Sequence, residues 1–233
     1  MLTKLGFNVS DFDQIITSGE IAYQMLSNDP DLACEIWPVL TAIPDGERKI
    51  FILGSGSNDR EYCTSCGWTV TSMENANLIL ARGTFTIDDG SDNEVISKTI
   101  HGEEAYFKEL ERVLNIAASR KLPMLISNPD KVRPDKGLPP MPGAIGDKYE
   151  EMLGGGFEAT KLVKRIGKPF SEVYDIALKK GSPDEIDPSH ACMVGDALET
   201  DVTGGIRAGC DTIWVIQDGI HGPNIASMKD GYE

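Results

Sequence analysis

Nothing in this 233-residue sequence runs apolar for long: stretches such as Ile50-Phe51-Ile52-Leu53 are far too short to cross a bilayer. The opening MLTKLGFNVSDFDQ has no continuous apolar core, so no secretory signal is expected and the expected location is the cytoplasm. Basic charge is scarce: 22 Lys and Arg stand against 37 Asp and Glu, a formal net charge of −15. Nucleic acid and anionic membrane both want a basic face, so neither is an expected partner. The five cysteines are few, scattered and odd in number, which fits a reducing compartment better than a disulfide framework. His101, His190 and His221 have no metal-ligand spacing and read as surface or loop residues. Internal repeats and low-complexity tracts are absent too.

What is present is ordinary for a globular protein: 40% apolar and 25% charged residues, enough chain for one large domain or two small ones. Gln14-Ile15-Ile16 reads as a short strand, and Thr17-Ser18-Gly19-Glu20 as a capping box opening a helix with Ile21, Met25 and Leu26 on its apolar stripe. The polar link Ser27 to Asp31 ends it. Lys49 to Leu53, Ala76 to Ala81 and Pro123 to Ser127 read as strands, and Glu103 to Arg120 as an amphipathic helix carrying Tyr106, Phe107, Leu110, Val113, Leu114 and Ala117. Thr86 to Asn93 reads as an exposed acidic loop, Pro134 to Gly146 as a turn-rich stretch, and Gly154-Gly155-Gly156 as a helix stop. Pro169 suits a first helical turn, with Phe170, Val173, Ala177 and Leu178 following at helical spacing. Ala191 to Val194 is an unbroken apolar run, as a strand covered on both faces would be; a helix from about Thr200 and a strand from Thr212 to Ile216 follow. This alternation indicates an α/β fold with a largely parallel sheet.

Three segments can carry chemistry, and each has a plainer reading beside it. In MVGDALETD, a strand ends in Gly195-Asp196 and Asp201 follows; carboxylates at a strand's carboxyl end can hold Mg²⁺, or Asp196 simply turns the chain and Asp201 caps a helix. In IGKPF, Lys168 between Gly167 and Pro169 can place a point charge on a phosphate, or is a solvated turn lysine. In LISNPDKVRP, Asn128 and Asp130 face a substrate or only make a turn. Cys63-Thr64-Ser65-Cys66 is a lone CxxC, half a zinc site or a redox pair by pattern but with no second CxxC to complete a zinc site, and Cys192 and Cys210 read as core residues. Gly54-Ser55-Gly56 starts a dinucleotide fingerprint that fails at Asp59, where its third glycine would fall.

Taken in order, ITSGE, LISNPD, GKP, VGDxxxTD and GGIRAGCDTIWVIQDGI resemble the haloacid-dehalogenase (HAD) superfamily, and most closely its subfamily IIA branch of 4-nitrophenylphosphatase-like and NagD-like phosphatases. The resemblance covers nearly the whole chain. It implies a Rossmann-like parallel-sheet core with a large inserted α/β cap: a core fragment over 1–21, the cap over 22–164 and the rest of the core over 165–233. It implies Mg²⁺-dependent hydrolysis of a small phosphorylated metabolite and a homodimer formed through the cap. Lys168 matches the lysine that neutralises the phosphoryl group, Asp196 and Asp201 the metal-site acids, and Asn128, Asp130 and the Pro142-Gly143-Ala144 turn the substrate-facing part of the cap.

The family's nucleophile is an aspartate in Asp-x-Asp-Gly after a first apolar strand. Asp11-Phe12-Asp13 departs from that pattern, because Gly6 to Ser10 is no apolar strand and Gln14-Ile15 follows the pair. It reads as a loop into a strand, and Asp88-Asp89-Gly90 as an exposed loop of the cap. The expectation is therefore a chain lacking the first two catalytic motifs. Truncation, completion by another chain and degeneracy each account for that; truncation fits best, since the remaining motifs are unaltered. The strand at Ala191 to Val194 would then expose an edge. A non-catalytic binding or regulatory protein keeping the phosphate and Mg²⁺ pocket is the alternative.

Overall fold

The computed structural model describes residues 2–27, 30–91, 95–133, 139–180 and 185–229. The chain divides into two compact units, Ser18–Ile166 and Met1–Thr17 with Gly167–Glu233. No helix among the described residues is long and apolar enough to cross a membrane.

The unit Ser18–Ile166 is built on one sheet of seven strands: β1 (Lys49–Gly54), β2 (Thr69–Val70), β3 (Leu78–Ala81), β4 (Thr86–Asp88), β5 (Ile96–Ser97), β6 (Met124–Ile126) and β7 (Val163–Arg165), in the order β5-β4-β1-β3-β6-β7 with β2 also on β1. β1, β3, β6 and β7 run parallel, as does β2, while β4 pairs antiparallel with both β1 and β5. Leu78, Ile79, Leu80 and Ala81 are all buried, as are Met124, Leu125 and Ile126, because helices cover both faces of a parallel sheet. On one face Phe51, Leu53, Ile79 and Ile126 pack with Tyr106, Leu110, Val113 and Tyr149. Each such side chain contributes about 1.5–3 kcal/mol by burial.

The helix Glu103–Arg120 has the expected bounds, and five of its six stripe residues are buried. The sixth, Phe107, is exposed, its ring lying under the Lys98 ammonium at 4.6 Å. Ser18–Leu26 is helical and buries Ile21, Met25 and Leu26, and its polar link falls partly outside the described residues. The three glycines after Pro142–Met152 all take positive φ (91°, 66° and 73°), a region that costs side-chain-bearing residues energy, and they turn the chain into the next helix.

Several expectations fail. The acidic stretch from Thr86 is not simply a loop: its first three residues form β4, with Ile87 and Asp88 buried (Asp92 and Asn93 lie outside the described residues). Arg60 makes that burial tolerable by gripping Asp88 with two hydrogen bonds, 2.6 and 2.7 Å. Pro142-Gly143-Ala144 is no separate turn but the first turn of a helix, and residues 134–138 of the expected turn-rich stretch lie outside the described residues. Residues 14–17 form no strand; Ile15 is exposed, and no described strand pairs with it to take up its backbone hydrogen bonds.

In the second unit β8 (Cys192–Gly195) pairs parallel with β9 (Asp211–Trp214), and each is the other's only strand partner among the described residues. β8 was expected to be covered on both faces. Instead Cys192, Val194 and Ile213 are exposed and alternate with half-buried Met193, Thr212 and Trp214, so one face is packed and the other open. Cys192 is thus not a core residue, and Cys210 is only half-buried. The edge of β8 that does not face β9 has no described strand beside it. Pro169 precedes its helix, Ser171–Lys180, in a turn; the buried side chains there are Tyr174 and Ile176, and Ala177 is exposed.

Candidate functional site

β8 ends at Gly195, and the next residue, Asp196, starts a tight turn into the helical segment Leu198–Val202 and the helix Thr203–Arg207. Asp201 comes back under this turn. Its carboxylate sits against Gly195, where an added Cβ would fall 2.3 Å from Asp201 Cγ, so a glycine is what lets the acid lie beneath the strand end. Asp201 Oδ2 accepts the backbone N–H of Asp196 (3.0 Å) and of Ala197 (3.2 Å), and Oδ1 accepts from Lys168 Nζ at 2.5 Å. Burial alone would raise the Asp201 pKa. The Lys168 ammonium and the two backbone N–H groups outweigh it and hold the carboxyl below its ordinary value. Burial, then the charge of Asp201, pushes the Tyr174 phenol of the neighbouring helix up to about 12.

Lys168 is about half exposed and brings three donors, one of which goes to Asp201. Asp196 uses Oδ2 to accept the Ile220 N–H at 3.0 Å, and its backbone carbonyl accepts from Trp214 Nε1 at 3.1 Å. Among the described residues no hydrogen bond reaches Asp196 Oδ1. The sequence-predicted trio is therefore unequal. Lys168 and Asp201 form an ion pair, Asp201 spends both oxygens inside the protein, and Asp196 keeps one free.

That asymmetry bears on Mg²⁺. The described residues contain no group of three His, Cys, Asp or Glu able to cage a metal. Mg²⁺ needs no such cage, since it keeps several waters and is held by one or two carboxylates together with substrate phosphate. The free Oδ1 of Asp196 fits that requirement. Asp201 fits better as the support that fixes both Lys168 and the Asp196 turn.

In the other unit, Asn128 Oδ1 accepts the Asp130 N–H at 3.2 Å and the Gly143 N–H donates to the Asp130 carbonyl at 2.9 Å. These residues are locally an Asx turn, which joins the end of β6 to the helix Pro142–Met152. The Gly54-Ser55-Gly56 loop is filled from within: Asp59 accepts from Ser55 Oγ, the Gly56 N–H and Arg82, whose guanidinium lies over the Tyr62 ring. Cys63 and Cys66 are buried, and burial raises the Cys63 thiol to about 12, so it stays protonated and unreactive. Of the two acidic pairs, Asp11 closes an exposed 3₁₀ turn with Asp13 exposed beyond it, and Asp88 is bound to Arg60.

The site also contains residues that sequence reasoning passed over. Trp214 and His221 approach edge-to-face at 5.9 Å beside the Asp196 turn; His221 is the loop residue expected, half-buried, and it accepts the Leu198 N–H. The only signal in the sequence was its position just after the strand that neighbours β8.

Residues 165–229, which hold this site, match the family described as HAD-hydrolase-like. The chain is 29% identical over 170 residues to the acid sugar phosphatase of Staphylococcus haemolyticus, a match that covers 72% of this chain and 54% of that protein. It thus spans about half the length of that relative. Among solved structures it is similar to p-nitrophenyl phosphatase from Archaeoglobus fulgidus (TM-score 0.61, 18% identity, 99% of this chain and 72% of that one). It is likewise similar to 4-nitrophenylphosphatase from Thermotoga maritima (TM-score 0.57, 26% identity, 92% and 66%).

Proposed function

Because residues 165–229 match a HAD-hydrolase-like family and the fold is similar to those of nitrophenylphosphatases, we propose that this chain is a HAD-like hydrolase serving Mg²⁺-dependent hydrolysis of a small phosphate monoester. The carrying observation is the Lys168–Asp201 ion pair set beside the free carboxylate oxygen of Asp196 at the end of β8. Ligands of open α/β sheets bind outside such strand ends.

In this reading Lys168 uses its remaining donors on a phosphoryl oxygen and offsets its charge. Asp201 keeps the ammonium in place and, being buried and ionised, stops it from swinging into solvent. Asp196 would hold Mg²⁺ through Oδ1, and the bound ion would supply Lewis-acid stabilisation of charge on the phosphoryl group. Substrate choice would fall to the 128–144 region, through Asn128, Asp130 and Gly143. The relatives' names support a phosphomonoester as substrate class and leave its identity open.

A second reading is favoured by one observation: neither acidic pair has the setting of Asp196, since Asp11 lies in an exposed turn and Asp88, which ends the antiparallel strand β4, is held by Arg60. The chain would then bind phosphate and Mg²⁺ without supplying a nucleophile. Purified chain assayed on p-nitrophenyl phosphate with Mg²⁺ separates the two. Turnover that falls about 10²–10³-fold in Lys168→Ala and in Asp196→Asn supports the hydrolase. Turnover indifferent to both substitutions sinks the site. No turnover, with Mg²⁺-dependent binding of inorganic phosphate lost in both variants, supports the binding protein.

A further inference from the structure

A cation-holding Asp196 needs its carboxylate held still. Asp196 stands in an open turn, and an acid meant to present one oxygen must have the other fixed. That second oxygen is fixed by a backbone group, the Ile220 N–H, from the loop that follows β9. Within that loop the Gly219 N–H donates to the Ile216 carbonyl, the Gly222 N–H donates to the Gly219 carbonyl, and Gly219 lies close against Asp196 Cβ. Val215 N donates to the Gly195 carbonyl, but beyond it Ile216 and Ile220 are exposed.

His221 adds a side-chain anchor. Its Nε2 accepts the Leu198 N–H at 3.3 Å; Glu199 Oε2, 3.4 Å from the same nitrogen, is an alternative partner that requires a proton there. Its ring meets the edge of Trp214, whose own Nε1 holds the Asp196 carbonyl. Its backbone carbonyl accepts from Ile225 at the start of the helix Gly222–Lys229. His221 therefore ties the loop after β9 both to the turn after β8 and to a helix. Its chain neighbour Ile220 delivers the hydrogen bond to Asp196.

We propose that His221, braced by Trp214, is a positioning residue that sets the orientation of the Asp196 carboxylate. It acts through the Ile220 N–H and touches neither substrate nor metal. The proposal rests on the reading of Asp196 as the cation-holding acid for its meaning, but its geometry can be tested without that reading.

Residue-resolved amide exchange by NMR is the direct measurement. In His221→Ala the Leu198 amide loses its own acceptor and exchanges faster in any case, so Ile220 is the informative position. Its exchange is expected to quicken about fivefold or more, the size of a lost hydrogen bond. His221→Gln, whose side-chain oxygen can take the Leu198 N–H, is expected to restore most of the protection. Amides of β3 should not change in either variant, which excludes general loosening. Terbium luminescence sensitised by Trp214 gives the functional arm. Apparent Tb³⁺ affinity is expected to fall several-fold in His221→Ala, to recover in His221→Gln and to vanish in Asp196→Asn. Unchanged Ile220 exchange in His221→Ala overturns the proposal, whatever Tb³⁺ does. Tb³⁺ emission that survives Asp196→Asn instead removes the cation reading, and Ile220 exchange then still decides whether His221 positions Asp196.

Discussion

β3 and β8 are both short apolar strands in parallel pairings, yet they live in opposite conditions. Leu78 to Ala81 lie between β1 and β6 with every side chain buried, whereas β8 has one strand neighbour among the described residues and leaves Val194 56% exposed. The contrast extends to the units. Of the buried apolar side chains among the described residues, all but Tyr174 and Ile176 belong to Ser18–Ile166. The unit with the Lys168–Asp201 pair is the one with least core. Local apolarity makes a strand available, and burial then depends on neighbours from elsewhere in the chain or beyond it.

Thiol labelling should break or confirm this comparison most sharply. Cys63 and Cys66 are buried in the full-core unit, while Cys192 is exposed on β8. Labelling Cys63 requires that unit to open, and about 5 kcal/mol or more of stability would slow the reaction on the order of 10³-fold or beyond. Mass spectrometry of the native chain after brief alkylation is expected to find label on Cys192 and Cys34 and none on Cys63. Equal labelling of Cys63 and Cys192 would erase the distinction.

Side-chain truncation comes next in size. Leu80→Ala is expected to cost about 2–5 kcal/mol in urea unfolding, because it leaves a cavity inside a covered sheet. The same measurement should find Lys168→Met costly by about 1–3 kcal/mol, since it leaves the buried Asp201 carboxylate without its cation.

A smaller effect is pH-dependent. Asp201 titrates lower in the folded state than its ordinary 3.8, so its ionised form favours folding. That stability is fully present above the unfolded value and is lost as pH falls through 3.8 toward the folded pKa. Urea midpoints of Asp201→Asn and of the unaltered chain should converge on acidification through this window. Midpoints that keep a constant separation would mean that Asp201 is not held ionised. Smallest of all, Val194→Thr is expected to shift stability by no more than about 0.5 kcal/mol, as an exposed position should. A loss near that of Leu80→Ala would show the open face to be covered in solution.

Long periodic or wholly apolar segments were legible in the sequence. Eighteen residues from Glu103 to Arg120 repeat their stripe often enough to set both ends, and ILIL-like runs announce β1 and β3. β7 was not legible, because Val163-Lys164-Arg165 shows no apolar pattern and is a strand only through pairing with β6. β4 hid behind its acids, since nothing near Asp88 in sequence announces Arg60, 28 residues away. At the site, resemblance supplied Lys168, Asp196 and Asp201 but not their division of labour. The space under Gly195 that takes the Asp201 carboxylate, and the contact of His221 with Leu198, are facts of distance between segments far apart in the chain.

The Gly54-Ser55-Gly56 loop has a consequence of its own. Asp59 answers the Gly56 N–H, Ser55 Oγ and Arg82 as a carboxylate on a very short tether. A tethered group competes at an effective concentration of about millimolar or higher. An anion from solution must displace it to bind there, so the loop behaves as a receptor already occupied by its own inhibitor.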